Sequence, residues 1–556
     1  MVDRLLNNRW IKLWFALSVT AFVALQISGA GSVIGVLLNY LAAFVLTIFF
    51  EHKHKVLSKL FEIKSKKSTL IALPIAIYTT IELVLSFRNV WIGRFFAASQ
   101  NSLVLGIRSR FSEQLIGDGL NMASIAAGIA ALFFIFAIVY AVLSRAGFIK
   151  NALCAVCKNA DKIERWYAIA GFIAFSVLVF CVYGMTEMMY TTQVKTNVVF
   201  TMDSPLLVQE DFYFSMYNTQ NDIRQPLFTL LTMPFAVVAK ILSIPLFFLP
   251  SAYILIMQLI QVVFLLVMAI LLVRMSGIED RLSKTAFLLL YSFTYPVMLF
   301  SFAVEQYIPS VFILILVLYR GHCKKQLSAG LVACCSGVLL TNAIIVPFIT
   351  FEKKLMAWAR SVIKVVAGFV VLCIFCGKLS VLFGAFSNIK NLLLNYGSVG
   401  AAENSNKLYQ FTHFIKNCFV APKTETVFVD QIHGVQLAVP TGISLVGVAL
   451  LCVSIAGAII NRKLLFARIC GLWVLFSIVL LYVMGWGSPE NGMILYSFYI
   501  GWAFFVLAFL LFENMLEKLS VLKYVVYPVG FVAMAVLNIG GIVELIKFGI
   551  QYYPVR

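Results

Sequence analysis

The feature that most constrains how this chain can fold is a series of long apolar runs that recurs from one end of the sequence to the other. Each run is near the ~20 residues that cross a bilayer as a helix. Of the 556 residues, 62% are hydrophobic and 12% are charged, whereas soluble domains are about half apolar and about a quarter charged. The sequence therefore predicts an all-α, polytopic transmembrane helix bundle in a lipid bilayer, with about 13–15 spans.

The distribution of basic residues predicts how the spans are oriented. Lys and Arg total 43 against 24 Asp and Glu, which gives a formal net charge of +19. The basic residues fall mostly in short loops such as 51–67 (EHKHKVLSKLFEIKSKK), as the positive-inside rule describes. We therefore interpret the charge as a topology signal, expect no nucleic-acid partner, and place the N-terminus in the cytoplasm.

Cysteines do not indicate a disulfide framework or a metal site. Most of the eleven lie inside apolar runs, where Cys behaves as a small hydrophobe. Cys154 and Cys157 form a single CxxC with no second ligand pair nearby, so no residue is assigned to a metal.

Loop lengths and charge divide the chain into four predicted regions. These are an N-terminal four-helix transmembrane extension at 1–150, a transmembrane core at 151–385 with a large outer loop at 188–250, a second extracytoplasmic loop at 386–440, and C-terminal transmembrane helices at 441–556. The first outer loop is expected to contain amphipathic membrane-surface helices.

Three prolines bear on the topology of that loop. We treat 226–248 as a membrane-surface or re-entrant segment broken by Pro234, Pro245 and Pro250. This interpretation makes 252–274 and 285–303 single spans and keeps the basic loop between them in the cytoplasm. Nearer the N-terminus, 68–87 is the predicted span that follows the basic loop 51–67.

Charged side chains that do not fit the loop pattern are concentrated between Phe200 and Phe235. Ionisable groups at the end of a membrane helix are costly unless they have a role, so this stretch is the default site. Its charged residues are Asp203, Glu210, Asp211, Asp222 and Arg224.

Two other polar groups are predicted to reach the same outer face. One is Glu305 with Gln306 and Tyr307, and the other includes Glu490 and Asn491. Carboxylates beside a water-accessible cavity can take a proton from a hydroxyl or hold a cation against phosphate, and Arg224 offers a planar donor fork for phosphate.

Each of these residues also has a purely structural interpretation. Asp203 could cap a surface helix before Pro205, and Asp222 could pair with Arg224. Glu305 could be a solvated charge at the membrane rim, whereas Glu490 and Asn491 could simply form a turn.

The arrangement resembles the GT-C superfamily of membrane glycosyltransferases, in which a helix leads into a first outer loop that carries an acidic residue near its start. That loop then continues through membrane-surface helices and a Pro-containing stretch. The matching segments are the end of the fifth span, TMDSP at 201–205 and NDIRQPLF at 221–228. The resemblance covers roughly residues 165–350.

The resemblance implies an inverting transfer of a sugar from a polyprenyl-phosphate donor to a hydroxyl of a glycan or lipid acceptor. The reaction would take place on the extracytoplasmic face of a bacterial plasma membrane, in cell-envelope synthesis. Asp203 would be the general base and Arg224 would contact the donor phosphate. Asp222 would hold that phosphate or a divalent cation, Mg²⁺ or Mn²⁺. The remaining polar residues named above are expected to bind substrate.

Alternatives remain at two points. The family carries paired acids at the loop start where this chain has Asp203-Ser204, and Glu210-Asp211 forms a pair farther on, so either position could supply the base. A transporter or flippase, or a polymerase, of lipid-linked saccharides would share the same architecture. A transporter should place ionisable groups near mid-membrane on broken helices.

Overall fold

The computed structural model describes most of the chain. The residues described are 5–26, 33–62, 65–88, 109–146, 160–191, 198–200, 202, 204, 213–214, 224–323, 327–346, 354–379, 382, 407–429, 432–485, 493–517 and 519–555. They are almost entirely helical, which confirms the predicted all-α, polytopic helix bundle.

The helices of the first half of the chain follow the apolar runs. They are α1 Arg9–Gln26, α2 Val33–His54, α3 Val56–Leu60, α4 Lys66–Phe87, α5 Glu113–Ser144, α6 Lys162–Met185, α7 Phe228–Ser243 and α8 Ala252–Met275.

The second half contains shorter helices and one β-hairpin. The elements are α9 Arg281–Ser292, α10 Tyr295–Phe302, α11 Tyr307–His322, α12 Ala329–Val338, α13 Leu355–Phe375, α14 Lys407–Asn417, β1 Thr424–Val429, β2 Ile432–Leu437, α15 Leu445–Ile460, α16 Leu465–Ser477, α17 Met493–Glu517 and α18 Ser520–Tyr552. The strands pair antiparallel, with Thr424 opposite Leu437, so the predicted loop 386–440 contains a helix and a hairpin.

Length and apolarity identify the membrane helices within the described part of the chain. Ten helices can cross a membrane, or up to eleven if α9 and α10, which are bent by 58°, form one span. Helices α11, α12 and α15 are apolar but shorter. The protein is therefore a multi-pass integral membrane protein.

Two segments differ from their predicted form. Helix α7 runs through Pro234, where a break was predicted, and ends at Ser243, before Pro245. Together with the 3-10 turn Ile244–Leu246 it is long enough to cross a membrane. Proline is tolerated in such helices because neighbouring groups satisfy the carbonyl that it frees. The predicted span 285–303 is not one straight helix, because α9 ends at Ser292 and α10 begins at Tyr295 with Pro296 in its first turn.

The first of two compact units comprises Met1–Asn159, Glu210–Val237 and Ser328–Ser387. One of its core clusters joins Phe15 and Val19 of α1 to Ala137 of α5 and Ile374 of α13. Asn39 of α2 fixes the end of α13, because its side chain donates to the Ile374 carbonyl (2.9 Å) and accepts from the Leu379 amide (3.0 Å).

The second unit comprises Ala160–Gln209, Val238–Leu327 and Asn388–Arg556. Helices α8 and α17 form its interior, since 67% and 94% of the residues in their most apolar stretches are buried. A helix that is apolar on all sides is stable only where it is surrounded.

An ion cluster joins several helix ends of this second unit. Glu164 at the start of α6 pairs with Arg274 of α8 (2.5 Å) and with Lys284 of α9 (2.9 Å). Lys523 of α18 pairs with Glu513 of α17 and lies 3.1 Å from the Ser283 hydroxyl. These ends meet at one end of the unit, which the basic-loop pattern predicts to be cytoplasmic.

Candidate functional site

The candidate site begins at the break between α10 and α11. Helix α10 ends because Ala303 adopts an extended conformation, and α11 starts again at Tyr307 with Pro309 in its first turn. Residues Ala303 to Gln306 cross this break as non-helical backbone. In a membrane protein such backbone occurs only where protein or a water-filled cavity surrounds it.

Glu305 is fully buried at this break, with 0% of its surface exposed. One carboxylate oxygen accepts a hydrogen bond from the Gln306 amide at 3.1 Å. The interpretation of Glu305 as a solvated rim charge therefore does not describe this residue. Burial of a carboxylate is costly unless neighbours compensate for the lost water, and an ionisable group in that situation is a functional-site candidate.

Two glutamines of α8 surround the same break. Gln261 Nε2 donates to the Glu305 carbonyl at 3.4 Å, and Gln258 Nε2 donates to the Phe302 carbonyl. Both are buried, and Gln258 Oε1 accepts no hydrogen bond from any described residue. Sequence reasoning missed this pair, although the signal was present as two amides one helical turn apart (QLIQ) in an otherwise apolar span.

The position of Gln261 along α8 shows that the site is recessed. Arg274, which belongs to the ion cluster, lies roughly 20 Å from Gln261 along the helix axis. Gln261 is also more than two turns inside the start of α8 at Ala252. The Glu305 backbone is therefore below the rim of the helix bundle.

The chain next to Asp203 is anchored at this break. The Ser204 hydroxyl donates to the Val304 carbonyl at 2.8 Å, and Ser204 and Met202 are each 1% exposed. Asp203 is the covalent neighbour of both and lies outside the described residues. The structure thus brings the start of the predicted catalytic loop to the residue that precedes Glu305.

The approach to Ser204 is held by long-range backbone pairing. Phe200 donates its amide to the Val435 carbonyl of β2 (2.9 Å), and Val435 donates to the Val198 carbonyl (2.9 Å). Phe200 itself has φ +49°, a left-handed conformation that costs a non-glycine residue about 1–3 kcal/mol and persists only where the surroundings impose it.

The C-terminal segment holds the end of α6, from which this loop leaves. Thr186 Oγ1 and the Glu187 amide both donate to the Tyr553 carbonyl, at 2.9 and 2.8 Å. The Tyr553 hydroxyl donates to the carbonyl of His433 in β2. Burial raises the pKa of nearby Tyr190 to about 12, so its hydroxyl remains a donor to the Tyr183 carbonyl.

Aromatic rings of α17 pack against Tyr307. The Tyr307 ring centroid lies 5.6 Å from that of Tyr496 and 6.0 Å from that of Tyr499. Ser310, one turn further along α11, donates to the Gln306 carbonyl at 2.8 Å. Glu305, Gln306 and Tyr307 are therefore fixed by direct contacts within the second compact unit.

Arg224 belongs to the first compact unit. Its carbonyl accepts from the Leu340 amide at 2.8 Å, and the Leu227 amide donates to the Gly337 carbonyl at 2.8 Å. These bonds hold the segment before α7 against the junction that follows α12. The predicted phosphate ligand thus projects from a backbone fixed at two points.

The remaining predicted site residues lie outside the described residues. They are Asp203, Glu210, Asp211, Asp222, Glu490 and Asn491. Among the residues that are described, no group of three or more His, Cys, Asp or Glu could hold a metal ion. Asp222, the residue expected near a cation, is not among them.

Fold and site together define a polytopic α-helical membrane protein with a buried carboxylate at a helix break. Comparisons of the chain with protein-family models, with curated proteins and with solved structures give no match.

Proposed function

We propose that the protein is a membrane glycosyltransferase of the GT-C type that uses a polyprenyl-phosphate-linked sugar as donor. The observation that carries the proposal is the Ser204–Val304 hydrogen bond (2.8 Å). It brings the loop that contains the family-like acid to the residue that precedes Glu305, a buried carboxylate that the sequence assigns to the same outer-facing site.

The proposed reaction is an inverting displacement at the anomeric carbon of the donor. Asp203 accepts the proton of the acceptor hydroxyl while the oxygen of that hydroxyl attacks the anomeric carbon. The bond from the anomeric carbon to the phosphate oxygen breaks, and polyprenyl phosphate leaves with the electron pair. General-base assistance of this kind contributes about 10²- to 10⁴-fold to a rate.

The other residues would bind substrate in this proposal. Arg224 suits the donor phosphate because guanidinium presents paired donors to phosphate oxygens. Glu305 and the Gln258–Gln261 pair suit sugar hydroxyls, since they combine a carboxylate acceptor with amide groups in a recessed setting. The active site would face the extracytoplasmic side of a bacterial plasma membrane, and the acceptor would be a glycan or a lipid.

The test is a transfer assay with purified protein in liposomes and a panel of radiolabelled polyprenyl-phosphate sugars. Asp203→Asn is expected to reduce transfer by about 10²- to 10⁴-fold with an unchanged size-exclusion profile. Asp118→Asn, which alters an exposed aspartate of α5, is the matched control and should transfer normally. If Asp203→Asn retains transfer while Asp211→Asn loses it, the base belongs to the Glu210–Asp211 pair.

A second candidate function is a transporter or flippase for lipid-linked saccharides. The specific observation in its favour is that Glu305 is fully buried beside a bent helix pair, as ionisable groups of transporters are. Proteoliposomes loaded with a fluorescent lipid-linked sugar distinguish the two functions. Movement across the bilayer without group transfer, lost in Glu305→Gln, would replace the glycosyltransferase proposal.

A further inference from the structure

An apolar groove of about 720 Å³ runs along the second compact unit between α6, α9 and α18. Its floor is buried and includes Phe175, Leu288 and Ile542, whereas its walls include Leu289 and Val543, which are partly exposed. A volume of this size is typical of a small-molecule site. In a bilayer, an apolar groove that is open along one side faces hydrocarbon.

The polar groups inside the groove already bond to protein. The hydroxyls of Tyr167 and Ser292 lie 2.5 Å apart, and Thr285 Oγ1 donates to the Arg281 carbonyl at 2.8 Å. The interior therefore offers no polar group that requires a ligand. Its occupant should be a hydrocarbon chain along this length.

One end of the groove carries a cation. Lys162 lines this end and is exposed, and no hydrogen bond or ion pair joins it to another described residue. The carboxylate of the adjacent Asp161 pairs with Lys284 and accepts a hydrogen bond from the Glu164 amide (2.8 Å), and it forms no ion pair with Lys162. Trp166, which is 62% exposed, lies at the same end, as expected at a membrane interface. The occupant should therefore carry one anionic headgroup.

The location of Lys162 distinguishes this groove from the site around Glu305. Lys162 adjoins Asp161 at the end of the unit that contains the ion cluster, roughly 20 Å along α8 from the level of Glu305. A donor lipid whose phosphate must reach Glu305 and Ser204 would not place that phosphate at Lys162. A structural lipid satisfies both the apolar groove and the isolated cation.

We propose that this groove binds an anionic glycerophospholipid, with its phosphate at Lys162 and one acyl chain packed between α6, α9 and α18. The inference does not depend on the proposed function, because it concerns the opposite end of the unit. A bound chain would fill the space between these helices, so the lipid acts as part of the helix packing.

The test uses protein in nanodiscs of phosphatidylcholine that contain phospholipid with brominated acyl chains, which quench nearby tryptophan fluorescence. The Trp166 signal is obtained as the difference between the wild type and Trp166→Phe. At equal mole fraction, brominated phosphatidylglycerol should quench Trp166 with about five-fold higher apparent affinity than brominated phosphatidylcholine, the factor expected for one lysine near an anionic headgroup.

Two variants separate the headgroup contact from the groove. Lys162→Gln should abolish the preference for phosphatidylglycerol because it removes the cation. Ala174→Phe keeps Lys162 but fills the groove, and it should abolish the same preference. Lys354→Gln, at an exposed helix start elsewhere, should leave it unchanged. All variants are compared only if they elute as monodisperse species with wild-type helical content.

Several results would overturn the proposal. Equal quenching by both brominated lipids would show that no anionic lipid is selected. A preference that survives Ala174→Phe would show a surface charge effect without insertion of a chain. Stronger relief of quenching by unbrominated polyprenyl phosphate than by unbrominated phosphatidylglycerol would assign the groove to an isoprenoid chain.

Discussion

Glu305 is completely buried and lies in the non-helical segment between α10 and α11. Its carboxylate accepts a hydrogen bond from the Gln306 backbone amide (3.1 Å), and its backbone carbonyl accepts one from Gln261 Nε2 (3.4 Å). Hydrogen bonds of this kind reduce the energetic penalty of burying the carboxylate, but an apolar residue would avoid that penalty altogether. The buried acid is therefore a candidate for a role other than stability.

Glu305→Gln tests that role. The side-chain amide oxygen of the variant can still accept a hydrogen bond from the Gln306 backbone amide, so the variant should fold with a melting temperature near that of the wild type. Sugar transfer should fall by about 10- to 100-fold, which corresponds to the ~1.5–3 kcal/mol of a hydrogen bond to a charged group. Thermal unfolding and the liposome assay give both values. If Glu305→Gln lowers the melting temperature and leaves sugar transfer normal, the role of Glu305 is structural.

At the scale of elements, α15 shows how membrane helices pack through small residues. Its buried residues are Gly447, Ser454 and Gly457, while its large side chains point outward. The Ser454 hydroxyl donates to the Phe504 carbonyl of α17 at 3.2 Å, and a Cβ on Gly457 would lie 2.1 Å from the Leu507 carbonyl oxygen. Such close backbone approach requires the absence of a side chain.

Gly457→Ala should therefore separate α15 from α17. Because the clash is with backbone, the helices must shift, and overpacking of this kind costs about 1–3 kcal/mol. The melting temperature in detergent should fall, whereas Gly540→Ala, where nothing lies within 4 Å, should leave it unchanged or raise it. Equal melting temperatures for both variants would contradict the close contact between the helices.

Helix α14 contains a titratable group whose environment affects stability near neutral pH. Burial, with Lys416 and Lys423 nearby, holds the pKa of His413 below its usual 6.5. The unfolded chain therefore binds the proton more readily, and stability should decrease as the pH falls below about 6.5 toward the folded-state pKa. His413→Gln should show a smaller loss of melting temperature between neutral and mildly acidic pH. An identical pH profile would contradict this effect.

At the scale of the whole molecule, each compact unit is assembled from three separate stretches of the chain. In the second unit, the ion cluster around Glu164 joins helix ends that are more than one hundred residues apart in sequence, such as those carrying Glu164 and Arg274. Glu164 has 2% of its side chain exposed and Arg274 has 14%. The pair is thus largely removed from solvent.

Glu164→Gln tests the contribution of this cluster. Removal of one partner leaves Arg274 and Lys284 without their shared carboxylate, and breaking a buried pair costs about 3–5 kcal/mol. The variant should melt well below the wild type, while Glu517→Gln, an exposed carboxylate at the end of α17, should not. A small effect of Glu164→Gln would show that water replaces the pair.

Much of the helical layout could be predicted from sequence, because the length of an apolar run is a local property. The predicted span 68–87 corresponds to Lys66–Phe87, and the predicted span 252–274 corresponds to Ala252–Met275. The break predicted at Pro234 was wrong. A proline leaves one helix carbonyl without its backbone donor, and whether neighbouring groups bond to that carbonyl depends on how the chain packs.

The site was predictable only in part. The sequence identified Glu305 as a candidate because an acid between apolar runs is conspicuous, but it did not identify Gln258 and Gln261, whose partners are 44 residues away. The anchoring of Ser204 at Val304 spans 100 residues, and no local pattern encodes such a pairing.

By itself, the sequence determined that this protein is a polytopic helical membrane protein and that its charge is concentrated outside the apolar runs, because transfer of each segment into lipid depends on its own composition. Only the tertiary structure decided that Glu305 is buried and not solvated at the rim, that Val198 and Phe200 pair with β2 while Ser204 reaches Val304, and that Lys162 stands at the end of an apolar groove. These features depend on contacts between distant segments, and burial is a property of the packed chain.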